Sequence, residues 1–599
     1  MLQMYTFSFK RVKSLCSFLV VCYLYLMRIT FIALIWLLSF KPSVNQNAST
    51  PISTPGDYFS DSNHGVLADS AMVVSAHPEA SQVGIAILRS GGNAIDASIA
   101  VQFALAVAYP NAGNIGGGGF MVVRMQDGSS NTLDFREKAP ERASRDMFLN
   151  PTTNEVNRKV IETSHLASGI PGSVEGMWQA HQKYGSIDWK LLVQPAIDLA
   201  QKGFPITAKQ ASDLTELQNE LKKLNKGKTY FIKAKWSAGD TLIQSDLATT
   251  LIAVRDNGRD GFYSGEVAAK IVTEMKNHNG IITAADLQNY NAVWRTPVKG
   301  NYKNYEIISM PPPSSGGIAL LQLLNMVENY PLKKWGFQSL NAVSIMVEAE
   351  RRVYADRATW LGDPDFARIP INELIDKQYA AQRMFGVDSS TITSSAKIKA
   401  GTFLGYESEE TTHFSIVDKY GNAVAVTTTL NDSYGSRIIV AGCGFILNNE
   451  MDDFSAKPGE PNLYGLVGGE INAIEPGKRM LSSMTPTIVV KDGKLFMVVG
   501  TPGGSTIITS VFQNIINVIE YEMTMQESVD APRFHHQWLP DEIKIEDELD
   551  DSLTKQLESK GYKISGREAI GRVDAILIYP SGKMEGAADK RGDDVAIGW

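Results

Sequence analysis

Cysteine is nearly missing from this chain: Cys16, Cys22 and Cys443 are the only three in 599 residues. Cys16 and Cys22 fall in an apolar leader, so an exported body would keep Cys443 alone. One thiol makes no internal disulfide, and no cysteine or histidine spacing of the zinc-site kind is present. The pair His535-His536 has no partner at ligand spacing and reads as structural. Basic charge is also short. A net charge of −8 leaves no electrostatic footprint for nucleic acid. No Gly-Lys-Ser/Thr follows the Gly116–Gly119 cluster, which lacks dinucleotide spacing too, so that cluster is neither a phosphate loop nor a dinucleotide fingerprint. No Gly-x-Ser-x-Gly elbow exists for an ordinary serine hydrolase. Finally, no Pro/Ser-rich or charged linker and no repeat divides the interior, although cores rarely grow beyond about 250–300 residues.

What is there begins with the leader. Lys10, Arg11 and Lys13 precede a largely apolar stretch from Ser14 to Phe40, interrupted by Arg28. Read whole, it exceeds the roughly 20 residues that span a bilayer and could anchor the protein. Read from Met27, it is a compact signal peptide: Arg28, an apolar region from Ile29 to Phe40, then polar residues up to Ala48. The expectation is an exported protein, periplasmic or secreted, with residues 1–48 as signal peptide and membrane anchoring as the alternative.

Further on, Ala94–Val107 is an apolar, Ala-rich run without a breaker, the pattern of a buried helix too short to cross a membrane. Pro110 and Gly116–Gly119 end it and lead into a strand over Phe120–Met125. Leu133–Arg136 reads as a short strand ending on a cation. From about Pro171 to Asp376 the pattern is mostly helical, with Glu348–Trp360 the clearest case and Met310–Gly317 a rigid loop. A hairpin is predicted for 486–490 and 495–499 about Asp492-Gly493, a favoured tight-turn dipeptide. The strand closes on Thr501-Pro502-Gly503-Gly504-Ser505-Thr506 before a helix over Ile507–Ile519. Strands flanked by helices fit a layered α/β architecture.

The most specific stretch is Glu410-Thr411-Thr412-His413-Phe414-Ser415-Ile416-Val417. Residues 411–417 and 423–429 alternate, are rich in Val, Thr and Ile, and are joined by the turn Asp418-Lys419-Tyr420-Gly421-Asn422. Folded about Tyr420, the hairpin sets Thr429 opposite Thr411, a register that a one-residue bulge would shift. Were the bond between Glu410 and Thr411 cut, Thr411 would carry a nucleophilic hydroxyl and a free α-amine as its own base. Taken alone, Thr411 and Thr429 are ordinary β-formers on strands.

The run Thr411–Lys419 resembles the start of the small subunit of the γ-glutamyltranspeptidases. So do Asn448–Ser455, Pro486–Val489 and Ala531–Pro540, within a likeness that extends from about Gly65 to the C-terminus. The resemblance implies the four-layer αββα sandwich of the N-terminal nucleophile hydrolases. It would be formed jointly by a large subunit, residues 49–410, and a small catalytic one, residues 411–599. It implies a self-processing γ-glutamyltransferase and glutathione hydrolase, needing no metal or organic cofactor, that passes the γ-glutamyl group to water, amino acids or peptides. Thr411 would be the nucleophile and Thr429 its neighbour, with Gly503 and Gly504 as oxyanion donors at a strand-to-helix turn. Those glycines also read simply as turn residues. Arg136, Ser482 and Ser483 would take the substrate α-carboxylate, and Asn431, Glu450 and Asp453 its α-ammonium. Read without the resemblance, Asn449–Asp453 is a solvated acidic turn. Tyr464, in the loop Pro458–Gly469, looks like a lid residue. Two readings compete: an acylase of the same superfamily acting on β-lactam side chains or poly-γ-glutamate, and a non-catalytic binder of γ-glutamyl compounds.

Overall fold

The computed structural model describes residues 64–226, 229–390, 392–399, 410–458 and 469–599. The leader and Tyr464 therefore lie outside the described residues. Two seven-stranded antiparallel sheets face each other. The first runs, edge to edge, Val595–Gly598, Met72–Ser75, Glu410–Val417, Ala423–Asn431, Gly118–Arg124, Ser130–Asp134 and Val293–Arg295. The second runs Val66–Ala68, Met584–Ala587, Asp574–Ile578, Lys494–Gly500, Thr487–Lys491, Tyr305–Ser309 and Val298–Tyr302.

Side-chain alternation builds the layers. On the first sheet Val73, Met121, Val123, Phe414, Ile416, Val424 and Val426 pack outward into a core shared with the helices Pro78–Arg89, Ala94–Ala108 and Trp189–Lys202. Their neighbours Met72, Val74, Phe120, Val122, Val417, Ala423 and Ala425 turn the other way, into a core shared with the second sheet and with Gly316–Val327, Leu340–Trp360 and Thr506–Tyr521. Successive strand residues point to opposite faces, so strands buried on both sides read as continuous apolar runs. The result is helix, sheet, sheet, helix, the four-layer sandwich expected.

The predicted elements sit where the pattern put them, with shifted ends. The Ala-rich helix is Ala94–Ala108, wholly buried and started by Asn93, whose side chain accepts from the Asp96 amide while Asp96 answers the Asn93 amide. The short strand ends at Asp134, leaving Arg136 two residues beyond it. One correction is needed in the middle of the chain. The stretch expected to be mostly helical also supplies Val293–Arg295 and the hairpin Val298–Tyr302/Tyr305–Ser309, the edges of both sheets. Val298–Tyr302 does alternate in burial, as buried, exposed, intermediate, exposed, buried, but Gly300 at its centre puts no apolar side chain on the inward face to mark the strand in sequence.

Residues Tyr58–Trp599 form one compact unit, with no boundary at Glu410. Both sheets explain this. Strands after Thr411 occupy much of the interior of each sheet, and strands before it fill most of the flanks.

Candidate active site

The hairpin register follows the arithmetic up to one point. Thr412 pairs with Thr428 and His413 with Thr427, continuing to Val417 with Ala423. Between Glu410 and Thr412 the ladder slips, because Glu410 meets Asn431. Thr411 thus lies at a bulge, at the point where regular pairing would have set it against Thr429. Bulges re-aim side chains and concentrate near functional sites. The backbone accommodates the slip at Asn431, whose φ is +78°, and whose amide donates to Thr429 Oγ1 at 2.8 Å.

Close packing behind this strand explains the glycine cluster. A Cβ on Gly117 would stand 2.0 Å from the Thr429 carbonyl oxygen, and one on Gly116 2.1 Å from that of Ile446. Asn114 ties the same place together, donating to Thr429 O at 2.8 Å and Thr428 Oγ1 at 3.1 Å.

Thr411 is 5% exposed and lines two cavities. The smaller, about 10 Å³, is walled by Arg136, Thr429, Asn431, Glu450, Asp453, Ser482, Ser483, Met484 and Ile507. That volume is about one water probe. Nearly every residue assigned from the sequence to the donor meets here, drawn from positions more than 300 apart.

Local structure explains the convergence. Glu450–Asp453 is a single 3₁₀ turn. With three residues per turn, its first and fourth side chains eclipse, so Glu450 and Asp453 present both carboxylates to one guanidinium. Arg136 donates through one amino group to Glu450 Oε1 and through the other to Asp453 Oδ2. It also reaches Leu481 O at 3.3 Å and Met480 O at 3.5 Å. The Arg136 backbone is clamped by its amide on Asp134 Oδ1 at 3.0 Å and by Tyr290 Oη donating to its carbonyl at 2.8 Å.

Electrostatics here is lopsided. Glu137, buried and 3.6 Å from the Arg136 guanidinium, adds a third carboxylate around one cation. Burial pushes the Glu137 carboxyl up to about 8, against the pull of Arg136. Burial also raises Glu450 well above the ordinary range, with Glu137 and Asp453 adding to the rise. Among the described residues, Glu450 Oε2 and Ser483 Oγ have no hydrogen-bond partner although both are buried. A spare acceptor and a spare donor beside a guanidinium match a zwitterion.

Supporting residues escaped the sequence reading. Asn448 accepts from the Glu450 and Gly169 amides at 3.1 and 2.8 Å and donates to Gly116 O at 2.8 Å. Asn472 donates to Asp453 O at 2.7 Å and accepts from the Leu481 amide at 3.0 Å. The serine segment is held from below, since Ser482 O accepts from the Ser315 amide at 2.6 Å and its hydroxyl at 2.7 Å.

The larger cavity, about 370 Å³, opens on the other side of Thr411 and includes Pro502, Gly503, Tyr109, Asn111, Asp213 and Arg572. Gly503 and Gly504 both have positive φ, +130° and +56°, just before the helix Thr506–Tyr521. A side chain on Gly503 would meet Thr506 Oγ1 at 2.5 Å, so the turn needs glycine there whatever its amide does. His535 and His536 are buried and hold structure: His535 Nδ1 lies 2.9 Å from Thr509 Oγ1 and Nε2 3.0 Å from Gln537 Oε1.

A layered αββα fold with a hydroxyl residue at the head of an interior strand defines the N-terminal nucleophile hydrolase class. Comparison with known proteins narrows this. The family model for gamma-glutamyltranspeptidase matches residues 80–599. The glutathione hydrolase proenzyme of Escherichia coli K12 is 48% identical over 558 residues, covering 92% of this chain and 96% of the relative. That of Pseudomonas aeruginosa is 43% identical over 547 residues, covering 90% and 96%. Among solved structures, Helicobacter pylori gamma-glutamyltranspeptidase is 45% identical with a TM-score of 0.54, covering 55% of this chain and 94% of that one. Cephalosporin acylase from Bacillus halodurans, 24% identical with a TM-score of 0.81 over 92% and 99%, shares the fold. The chain belongs to the γ-glutamyltranspeptidase family.

Proposed function

We propose that this enzyme is a self-processing γ-glutamyltransferase and glutathione hydrolase with Thr411 as its nucleophile. The observation that carries the reading is the meeting, at one buried threonine, of a small zwitterion-matched pocket and a larger cavity. In the precursor, the Thr411 hydroxyl attacks the Glu410 carbonyl carbon. The C–N bond breaks, the acyl group moves to oxygen, and water hydrolyses the ester. The products are a large chain ending at Glu410 and a small one beginning at Thr411. The freed α-amine, with an ordinary pKa of about 7.7–8.0, then takes the Thr411 hydroxyl proton.

In turnover, Arg136 with Ser482 and Ser483 takes the donor α-carboxylate, while Asn431, Glu450 and Asp453 take its α-ammonium. Thr411 Oγ attacks the γ-amide carbon, and the amides of Gly503 and Gly504 receive the oxyanion, each worth about 3–4 kcal/mol. The leaving amine departs with the proton, giving a γ-glutamyl-threonyl ester. Leaving group and acceptor share the larger cavity, whose mixed charge (Asp213, Arg572) suits an amino acid or peptide. Water or an acceptor amine then frees the enzyme. Export by the leader places the reaction outside the cytoplasm.

Intact mass and N-terminal sequencing of the purified protein test this directly. A small chain starting Thr411-Thr412-His413, and an uncut Thr411→Ala variant without turnover, are expected. Normal processing in Thr411→Ala would overturn the assignment. The acylase reading is tested by kinetics on γ-glutamyl anilide against glutaryl-cephalosporin; preference for the second would replace it.

A further inference from the structure

Far from Thr411 in sequence, and unused by the chemistry above, His165, Glu274 and His278 converge. Glu274 lies in the last turn of the helix Gly265–Asn277 and His278 is the residue that caps its C-terminus, which brings the two side chains together. His165 opens the 3₁₀ turn His165–Ala167, which the Ser164 hydroxyl caps by accepting from the Leu166 amide at 3.2 Å. His165 Nε2 stands 2.9 Å from Glu274 Oε1, and His278 Nδ1 stands 3.0 Å from the same oxygen. The two imidazoles stack at 4.6 Å with 10° between their planes. All three donor atoms lie within 4.8 Å of one another.

We propose that His165 Nε2, His278 Nδ1 and the Glu274 carboxylate form a binding site for a divalent transition metal of the zinc class. Two imidazoles and one carboxylate suit zinc or cobalt, whereas calcium and magnesium want oxygen ligands throughout. Metal–ligand bonds of about 2.0–2.2 Å in a tetrahedron set donors about 3.3 Å apart. The two spacings to Glu274 Oε1 need to open by about 0.3–0.4 Å, while the two imidazole nitrogens already lie within 4.8 Å of each other. His278 Nδ1 also lies 3.1 Å from the Glu274 carbonyl oxygen, a contact the metal would replace. A cavity of about 120 Å³ borders Glu274 and His278 and leaves a fourth position open to water. The sequence hid this site because the first ligand lies 109 residues before the second.

The place has a consequence. The segment carrying His165 also braces the acid turn: Glu162 O accepts from Asn449 Nδ2 at 3.1 Å, and Gly169 exchanges hydrogen bonds with Asn448. A metal on His165 therefore steadies the backbone that holds Glu450.

The test uses tag-free, chelator-stripped protein titrated with Co²⁺, then with Zn²⁺ in competition. One equivalent of cobalt giving visible d–d bands, displaced by one equivalent of zinc, is expected. His278→Ala, half-exposed and safe for folding, and Glu274→Gln should each weaken cobalt binding at least tenfold while thermal unfolding of the metal-free forms stays near wild type. Of the other six histidines, His77, His413, His535 and His536 are buried and His181 Nε2 lies 2.8 Å from Ile187 O, so the exposed His64 is the one to control for, by His64→Ala, which should leave cobalt binding unchanged. Absence of saturable bands in wild type, or unchanged binding in both variants, overturns the proposal.

Discussion

Replacing Arg136 by lysine separates the two jobs proposed for this side chain. Its guanidinium is the cation shared by three carboxyl groups, Glu137, Glu450 and Asp453, and is offered to the donor α-carboxylate. Lysine keeps the charge but is a point donor, so it cannot serve Glu450 and Asp453 at once and loses the fork that matches a carboxylate. Losing one charge-assisted hydrogen bond costs about 1.5–3 kcal/mol, which at 1.4 kcal/mol per decade raises the donor KM roughly 10- to 150-fold. Processing should continue, because the scissile peptide bond presents no α-carboxylate to Arg136. Arg136→Met is the contrasting case. It removes the cation from Glu137, Glu450 and Asp453, so carboxyls take up protons in its place and the broken pair costs up to about 3–5 kcal/mol of stability. The assay is release of the chromophore from γ-glutamyl anilide, split into kcat and KM, with intact mass to score cutting. A donor lacking the α-carboxylate closes a double cycle: wild type should lose affinity for it, and Arg136→Lys should lose little more. A normal KM in Arg136→Lys, or equal discrimination between the two donors by both enzymes, would refute the reasoning.

Much of this was legible, for reasons particular residues show. Ala94–Ala108 and the hairpin after Glu410 are buried on every side, so apolar runs and turn residues alone mark them. Gly116 and Gly117 looked like a motif without a partner; their reason, carbonyl oxygens about 2 Å from any added Cβ, exists only in three dimensions. Asn448 and Asn472 were invisible because a buried amide serving two backbones carries no periodicity. The pairing of Arg136 with Glu450 and Asp453 was hidden too, since the resemblance assigned them to opposite ends of a ligand. In the structure they hold each other.

Three further outcomes follow from the site. First, inhibition by an unreactive γ-glutamyl analogue should strengthen from pH 6 to about 8. Burial pushes the Glu137 carboxyl up to about 8 and raises Glu450 in the same direction, an incoming ammonium favours the charged carboxylate, and binding therefore releases protons; a flat Ki profile would contradict it. Second, Glu450→Gln keeps the Arg136 hydrogen bond but removes one acid, so donor KM should change less than tenfold and that pH slope should flatten; loss of all activity would count against it. Third, Gly117→Ala removes no reactive group but forces a Cβ against Thr429 O, so cutting and thermal stability should fall together, by about 1–3 kcal/mol or more; normal cutting would show that the bulge tolerates movement.

The place of the proposed cut matters as much as its chemistry. Breaking the chain between Glu410 and Thr411 severs it at the bulge, where the only paired residue lost from the ladder is Glu410 with Asn431. From Thr412 to Val417 the strand keeps its pairing with Ala423–Thr428, and from Phe414 to Val417 it also keeps Met72–Ser75. Across the molecule, Met72–Ser75 lies between two strands that follow the cut, and Asp574–Ala587 joins Val66–Ala68 to Lys494–Gly500. The two products therefore cannot part without opening both sheets, at the cost of unfolding. Gel filtration after complete cutting should give a single peak holding both chains, separating only in denaturant. Two peaks under native conditions would mean that these sheets come apart at the cut.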